Sequence, residues 1–461
     1  MENKLEYERI NVWKDERTNK DEIYSFCEGY IDFLNKARTE REFVKEAENA
    51  AITEGFISLE SCDSLCPGDK VYRINRGKGI ILSIIGTEPL EKGVRIIGAH
   101  VDSPRLDLKQ NPLYEDGEMA LLKTHYYGGL RKYQWLATPL AMHGTVVLSD
   151  GKSIDIKVGD EDDAFTFCVS DLLPHLAKDQ AGKPLRDAFD PENLNVIVGS
   201  MPVTDPESKK PIKDALLQYL NTEYGIIEED FLSAEIEMVP ALKVRDVGFD
   251  RSMIGGPGQD DRVCSYTAMK ALFEVTAPKY TTVCLLVDKE EIGSMGNTGM
   301  QSRFFENTLA ELCARLGDYS ELSVRRCLGK SKCLSADVNA AFDPNFAGVY
   351  EKNNAALLNH GVTVCKYTGH GGKSESSDAS AEFMGEIRRI FNKGGVVWQT
   401  AELGKVGAGG GGTIAQYVAN LDVDTIDCGT ALLSMHSPFE LSGKADVYMT
   451  YKAYKCFYLG E

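Results

Sequence analysis

Histidines and acidic residues directly follow short apolar runs at several places in this sequence. His100 ends the run in IIGAHVDSPRLD, and Glu290 and Glu291 follow the run in LLVDKEEIGSMGNTG. Adjacent glutamates repel each other, and Lys289 can pair with at most one of them. Such groups are costly in apolar surroundings unless cations compensate their charge. The pattern therefore favours a metal site in which one glutamate binds metal and the other transfers protons.

Asp102 has the spacing expected of a residue that orients His100. It lies two residues after His100, so an extended backbone places both side chains on the same face. An imidazole that binds metal usually donates its second N–H to a carboxylate, which fixes its tautomer. His-x-Asp is a short motif, and an ordinary surface pair has the same spacing.

Three further motifs supply acidic residues or histidine at turns. Asp260 and Asp261 open a helical segment after the glycine-rich turn IGGPGQ, where aspartate is also a common helix cap. Asp337 ends the run SKCLSAD, and His436 ends TALLSMH. In open α/β sheets, sites form beyond the carboxyl ends of the strands. Imidazole and carboxylate ligands together indicate zinc or a neighbouring divalent metal, with cobalt and manganese as alternatives.

The elements that must position these residues alternate between strands and helices. Apolar runs such as GIILSIIGT, GVRIIGAH and YTTVCLLVD lie between helical segments, including residues 263–275. This alternation predicts an α/β fold with a central mixed sheet flanked by helices. Residues 105–240 differ, because short strands joined by polar turns dominate there. We therefore predict a catalytic domain in two segments, 1–104 and 241–461, with an inserted β-rich domain at 105–240.

Composition limits the partners that the protein can have. The chain has 461 residues, of which 43% are hydrophobic, and a formal net charge of -19. An acidic chain is a poor match for nucleic acid or an anionic membrane surface. The N-terminal stretch MENKLEYERINVWKDER has no apolar core, so it does not resemble a secretory signal. The twelve cysteines are scattered along the chain, which is typical of reduced thiols. The cysteines and the N-terminal stretch together predict a soluble cytoplasmic protein.

Five motifs in order resemble one family of metallopeptidases. GAHVDSPRLDLK, GQDDR, DKEEIGS, SADVNAAFDPNF and SMHSPFE are similar in order and spacing to the aspartyl aminopeptidase and vacuolar aminopeptidase I family of co-catalytic zinc peptidases. The likeness covers nearly the whole chain, including the position of the inserted domain. It implies a zinc-peptidase type of fold, peptide substrates with a free N-terminus, and two divalent metal ions in each chain.

The resemblance also implies individual ligands. One metal would be bound by His100, Asp260 and Asp337. The other would be bound by Asp260, Glu291 and His436, so that Asp260 bridges the two ions.

Proton transfer and backbone geometry are implied in the same way. Glu290 would be the general base, and Asp102 would orient His100. The peptide bond between Asp260 and Asp261 would be cis, as it is after the bridging aspartate of related peptidases.

Assembly is a further implication of the resemblance. Family members form dimers that assemble into a shell of twelve chains, with the inserted domain supplying much of the dimer contact. His175, in SDLLPHLAKDQ, would reach the neighbouring subunit's active site and hydrogen-bond the tetrahedral intermediate. The alternative for His175 is a partly buried helix histidine with a structural role.

The sequence departs from the aspartyl branch of the family around the substrate. Lys366 falls where that branch has a lysine near the substrate side chain, although a solvated lysine explains it equally well. GKVGAGGGGTIAQ replaces a polar segment and lacks the Gly-Lys-Ser/Thr of a phosphate loop. We predict instead a loop of close backbone approach that lines the substrate pocket. A preference for acidic N-terminal residues is therefore left open.

Two other functions fit the same motifs. A related di-metal amidohydrolase, such as a carboxypeptidase or deacylase, would use the same metal ligands. A non-catalytic shell or cargo protein would keep the fold but lack a ligand or the base, and none of those positions is missing from the sequence.

Overall fold

The computed structural model describes residues 5–160 and 165–460, which form two compact units. The first unit comprises the chain up to Asp102, Val244–Met435 and the chain from Glu440 onward. The second comprises Ser103–Lys243 together with His436–Phe439. Among the described residues, no helix combines the length and apolar content needed to span a membrane.

The strands fall into three groups along the chain. Before the second unit the strands are β1 (Ile57–Ser58), β2 (Lys70–Asn75), β3 (Gly79–Ile84) and β4 (Arg95–His100). Those of the second unit are β5 (Arg105–Asp116), β6 (Met119–Tyr127), β7 (Pro139–Val147), β8 (Ser153–Val158), β9 (Phe167–Cys168), β10 (Val196–Gly199) and β11 (Ala234–Pro240). The later strands are β12 (Arg245–Val247), β13 (Met253–Gly256), β14 (Thr282–Val287), β15 (Lys332–Ser335), β16 (Asn339–Ala340), β17 (Val362–Cys365), β18 (Trp398–Thr400), β19 (Asp424–Gly429), β20 (Ala431–Leu433) and β21 (Glu440–Gly443). The helices are α1 (Lys20–Lys36), α2 (Glu40–Thr53), α3 (Lys178–Ala181), α4 (Leu185–Ala188), α5 (Pro211–Tyr224), α6 (Gln259–Phe273), α7 (Phe304–Arg315), α8 (Glu321–Leu328), α9 (Ala381–Lys393), α10 (Ala415–Ala419) and α11 (Lys444–Leu459).

The first unit is built on a mixed sheet in the order β1-β2-β3-β14-β4-β15-β19-β17-β18. The four central strands, β14, β4, β15 and β19, are parallel. Their side chains alternate between two hydrophobic cores on opposite faces of the sheet. Ile97 packs with α1, α2, α6 and α11, whereas Ile96 packs with α7 and α8. Burial on both faces explains why these strands are nearly continuous apolar runs, and the predicted mixed α/β fold is confirmed.

A smaller sheet in the first unit leads into helix α6. Its strand order is β12-β13-β21-β20-β16, and β13 pairs antiparallel with β21. The chain passes from β13 through Gly258, which has a left-handed φ of 69°, into α6. This turn places the start of α6 next to the first residue of β21.

The second unit is rich in β-strands and overlaps the range 105–240 of the predicted insertion, but it also includes His436–Phe439. Its sheet runs β11-β5-β6-β10-β9-β7-β8, and β11 also pairs with β7, which closes a ring of antiparallel strands. A third apolar core fills this unit, where residues of α5 pack against the strands.

Asp446 shows how a buried carboxylate can fix backbone in this fold. It lies in the first turn of α11, fully buried, and its oxygens accept backbone N–H groups from Asn359 (2.6 Å) and Gly361 (2.7 Å). Both oxygens of the carboxylate are therefore used as acceptors by the turn that precedes β17.

We expect Asp446→Asn to destabilise the first unit. The asparagine has one oxygen, so its NH₂ group would face a backbone N–H that has lost its acceptor. An unsatisfied buried donor costs about 1 to 3 kcal/mol. The variant should melt at a lower temperature by differential scanning calorimetry, and an unchanged melting temperature would contradict this role.

Candidate metal centre

Three of the predicted ligand motifs meet because their strands are neighbours in the sheet. His100 is the last residue of β4, and in the parallel pairing it lies opposite Val287, the last residue of β14. On the other side of β4, Ser335 of β15 lies opposite Gly98. Asp337 follows two residues later. The carboxyl ends of all three strands therefore lie at one edge of the sheet.

The start of α6 adds Asp260 to this edge. His100 Nε2 lies 3.2 Å from Asp260 Oδ1 and 3.9 Å from Glu290 Oε2. The backbone N–H of His100 donates to Asp261 Oδ2 at 3.3 Å. The peptide bond between Asp260 and Asp261 is cis, which confirms that prediction.

Ligand atoms from these motifs form three overlapping groups, in each of which all atoms lie within 4.8 Å of one another. The groups are His100 with Asp260 and Glu291, His100 with Glu290 and Asp337, and Asp260 with Asp261 and Asp337. One imidazole and five carboxylates are thus concentrated at a single edge.

Asp102 contacts both His100 and the turn that carries the two glutamates. Its fully buried carboxylate accepts the backbone N–H of Glu290 at 3.1 Å through Oδ1 and that of Glu291 at 3.2 Å through Oδ2. Asp102 Oδ1 is also 3.3 Å from His100 Nδ1, and the backbone carbonyl of Asp102 is 3.1 Å from the same nitrogen. With Nδ1 donating in this way, Nε2 is left as the nitrogen that faces the carboxylates.

Lys289 pairs with a residue other than the two glutamates. Its backbone adopts a left-handed φ of 68°, and its ammonium contacts Asp288 Oδ2 at 3.2 Å and Thr298 Oγ1 at 2.9 Å. Thr298 in turn donates to Asp288 Oδ2 at 2.7 Å. This network anchors the base of the turn, while Glu290 and Glu291 begin a short 3-10 helix.

The buried carboxylates at this edge of the sheet concentrate negative charge, which suits divalent cations. Burial raises the pKa of Asp337 well above its usual range, and the neighbouring carboxylates of Asp261 and Glu290 raise it further. Burial likewise raises the pKa of Asp261. Burial lowers the pKa of His100, but the carboxylates of Asp102 and Asp260 outweigh it and raise that pKa overall. Without cations these carboxylates favour protonation, so hard or borderline cations with oxygen and imidazole ligands fit the site.

His436 belongs to the second unit and is in none of the three groups. It follows β20 with a left-handed φ of 64°, and its Nδ1 lies 3.2 Å from the carbonyl oxygen of Gly129. The carbonyl can only accept, so Nδ1 is the donor in this contact.

Glu440 is a residue whose role sequence reasoning missed. Its buried carboxylate accepts the backbone N–H groups of Gln259 and Asp260 at the start of α6. The available signal was an acidic residue that ends the motif SMHSPFE and begins the strand-like ELSG.

His175 is exposed, in the second unit. It lies in a single 3-10 turn, Pro174–Leu176, among exposed leucines that include Leu172 and Leu173. In the single chain His175 is thus outside any α-helix, and its role stays a prediction.

Lys366 directly follows β17 and is partly exposed. Its ammonium contacts Asp378 Oδ1 at 2.6 Å, and Lys373 contacts Asp378 Oδ2 at 3.1 Å. Asp378 therefore neutralises part of the positive charge of these two lysines.

The backbone of the glycine-rich loop lies close to that of Gly369, while its place along the substrate pocket stays a prediction. A Cβ on Gly410, whose φ is 131°, would lie 2.2 Å from the carbonyl oxygen of Gly369. The carbonyl of Gly411 accepts the N–H of Gly369 at 2.7 Å. Thr413 Oγ1 donates to buried Asp427 at 2.6 Å, which ties the end of the loop to β19.

Comparisons with known proteins agree on one family. The model of aminopeptidase I zinc metalloproteases (M18) matches residues 33–458. The probable M18 family aminopeptidase 1 of Clostridium acetobutylicum is 50% identical over 462 residues, which cover 99% of each chain. The crystal structure of an M18 family aminopeptidase from Thermotoga maritima has a TM-score of 0.95 at 45% identity, covering 98% of this chain and 99% of that one. The S. cerevisiae mApe1 dodecamer has a TM-score of 0.75 at 23% identity over 94% of this chain and 96% of that one, a likeness of fold alone.

The family resemblance of the five sequence motifs is thereby confirmed. The match extends into all three segments of the first unit and includes the whole second unit. The chain belongs to the M18 family of aminopeptidases, the aminopeptidase I zinc metalloproteases.

Proposed function

We propose that this aminopeptidase removes the N-terminal residue of peptides with two divalent ions and a glutamate base. His100, Asp260 and Asp337 would hold one ion, and Asp260, Glu291 and His436 would hold the other. The concentration of imidazole and carboxylate groups at one edge of the sheet carries this proposal. Each pair among His100, Asp260 and Asp337 occurs within one of the three groups. Zinc is the expected metal from the family description, and cobalt or manganese accept the same ligands.

The hydrogen bond of His436 supports its place in this ligand set. Nδ1 lies beside the carbonyl of Gly129, and an imidazole that binds metal commonly donates its other N–H to such an acceptor. Asp102 orients His100 in a similar way, because its carboxylate and its backbone carbonyl both lie beside Nδ1 of His100.

Ions bound here would polarise the scissile carbonyl and lower the pKa of a water molecule. Glu290 takes the proton of the attacking water and passes it to the leaving amine. Its side chain is 17% exposed, which leaves it access to both groups. Asp102 keeps the turn of Glu290 and Glu291 fixed through their backbone N–H groups.

Acidic groups near the ions would also bind the free α-amino group of the peptide, which limits cleavage to the first residue. Assays of free-amine and N-blocked peptides separate this activity from that of a related carboxypeptidase or deacylase. Metal-dependent turnover of any peptide would argue against a purely structural shell protein.

We further propose a homo-oligomer in the cytoplasm, with dimers joined through the second unit and assembled into twelve chains. Support comes from the fold shared with a yeast dodecamer and from twelve free cysteines, which suit a reducing compartment. Native mass spectrometry tests the number of chains in the oligomer, and cell fractionation tests the location in the cytoplasm.

The general base is tested by Glu290→Gln, which keeps size but cannot take a proton. Turnover should fall at least ~100-fold, the usual scale of acid–base catalysis, while both ions stay bound by elemental analysis. Asp260→Ala is the matched control, since it should lose both ions. Near-normal turnover in metal-loaded Glu290→Gln would remove Glu290 from the role of base. One ion in the wild type would contradict the two-metal proposal.

Lys366 is proposed to contact the side chain of an acidic N-terminal residue. Lys366→Met should lower kcat/KM for N-terminal Glu relative to Leu by roughly two- to fivefold, the scale of a partly exposed charge pair. Asp378→Asn should raise the same ratio, because it frees the ammonium of Lys366. Lys373→Met is the matched control on the other side of Asp378. Equal effects of the two lysine variants would make Lys366 a solvated residue.

His175 is proposed to complete the active site of the neighbouring chain, to which its exposed position is suited. A donor to developing oxyanion charge is worth about 3 kcal/mol, so His175→Ala should be nearly inactive. Mixing Glu290→Gln chains with His175→Ala chains should restore activity, because one site of a hybrid dimer regains both groups. Absence of complementation in hybrids verified by native mass spectrometry would assign His175 a structural role.

A further inference from the structure

The segment that leads into helix α6 is held by a strand that lies far away in the sequence. Asp260 and Asp261 at its start have non-helical backbone angles, so the amides of Gln259 and Asp260 find their acceptor outside the helix. Glu440 Oε2 accepts the N–H of Gln259 at 2.6 Å and that of Asp260 at 3.2 Å. Glu440 is 1% exposed and lies opposite Gly256 in the pairing of β13 with β21.

The side chain of Gln259 is fixed by the same strand. Its Nε2 donates to the carbonyl of Glu440 at 2.7 Å and to that of Ile254 at 3.2 Å. Its Oε1 accepts the hydroxyl of Ser442 at 2.6 Å. Both the backbone and the side chain of Gln259 are therefore held directly before the bridging aspartate, Asp260.

This arrangement differs from an ordinary helix cap in what it holds. One of the two amides belongs to Asp260, whose Oδ1 lies 3.2 Å from His100 Nε2. Hydrogen bonds to an ionised acceptor are roughly twice as strong as neutral ones, so a buried carboxylate fixes these amides firmly. Glu440 also lies four residues after His436. One short segment therefore carries a proposed metal ligand, His436, and the residue that holds the backbone of another, Asp260.

We infer that Glu440 is a positioning residue, which holds the backbone of Gln259 and Asp260 so that the Asp260 carboxylate can bridge two cations. The inference rests on the proposed two-metal function. Glu440 acts through Asp260, because its carboxylate accepts the backbone N–H of that residue as well as that of Gln259.

The test compares Glu440→Gln and Glu440→Leu with wild type in the metal-free protein. Hydrogen-exchange mass spectrometry follows peptides that contain Gln259 and Asp260, and titration with cobalt(II) ions measures metal affinity. In Glu440→Leu these amides should exchange at least about tenfold faster, because a charge-assisted bond is lost. Cobalt should bind about 10- to 100-fold more weakly, as for other groups that orient metal ligands. Glu440→Gln keeps an acceptor oxygen and should lie between.

Asp446→Asn is the matched control, since Asp446 is also a buried carboxylate that accepts two backbone N–H groups. It should lower the melting temperature and leave cobalt affinity unchanged. Equal losses of cobalt affinity in Asp446→Asn and Glu440→Gln would overturn the inference, because general destabilisation would then explain both. Wild-type exchange rates and affinity in folded Glu440→Gln and Glu440→Leu would also overturn it. If the wild type bound no cobalt, the two-metal function would fail, while exchange would still decide whether Glu440 holds the backbone.

Discussion

The rest of this structure depends on the free-energy cost of burying several carboxylates close together at one edge of the sheet. Neighbouring parallel strands end at the same edge of the sheet and bring His100, Glu290 and Asp337 together there. The start of α6 adds Asp260. Their mutual repulsion and burial favour protonation, as the raised pKa of Asp337 shows. Divalent cations bound there would replace those protons with a higher charge at fixed positions. The core on both faces of the sheet must be stable enough to hold the groups together before cations bind.

Buried carboxylates serve this site in two different ways. Some point their oxygens at one another and suit cations, whereas Asp102 and Glu440 each accept two backbone N–H groups. Asp102 holds the turn that carries Glu290 and Glu291, and Glu440 holds the start of α6. An acceptor that takes two consecutive amides restrains the direction of the backbone more than a single bond does. Hydrogen bonds to buried carboxylates therefore hold the backbone of the proposed ligands Asp260 and Glu291.

Much of the fold and of the candidate site could be predicted from the sequence, for physical reasons. Strands buried on both faces leave continuous apolar runs, so β4, β14 and β15 and the residues at their ends were recognisable. The partner of Lys289 was not, because Asp288 and Glu290 are both its neighbours and only the left-handed turn selects Asp288. The role of Glu440 depends on the pairing of β21 with β13, which joins residues about 180 positions apart. The exposure of His175 depends on a short turn whose apolar residues look like a buried helix face.

Connectivity gives the two amide-binding carboxylates a further significance. The chain leaves the first unit directly after Asp102 and finally returns to it directly at Glu440. The segment before Glu440 carries His436 and belongs to the second unit. Any displacement of the chain at these two crossings would act first on Asp102 and Glu440. Because both are almost completely buried and each accepts two amides, they resist such displacement where it would otherwise reach the ligands. Both crossings of the chain are therefore anchored by buried carboxylates beside the proposed ligands.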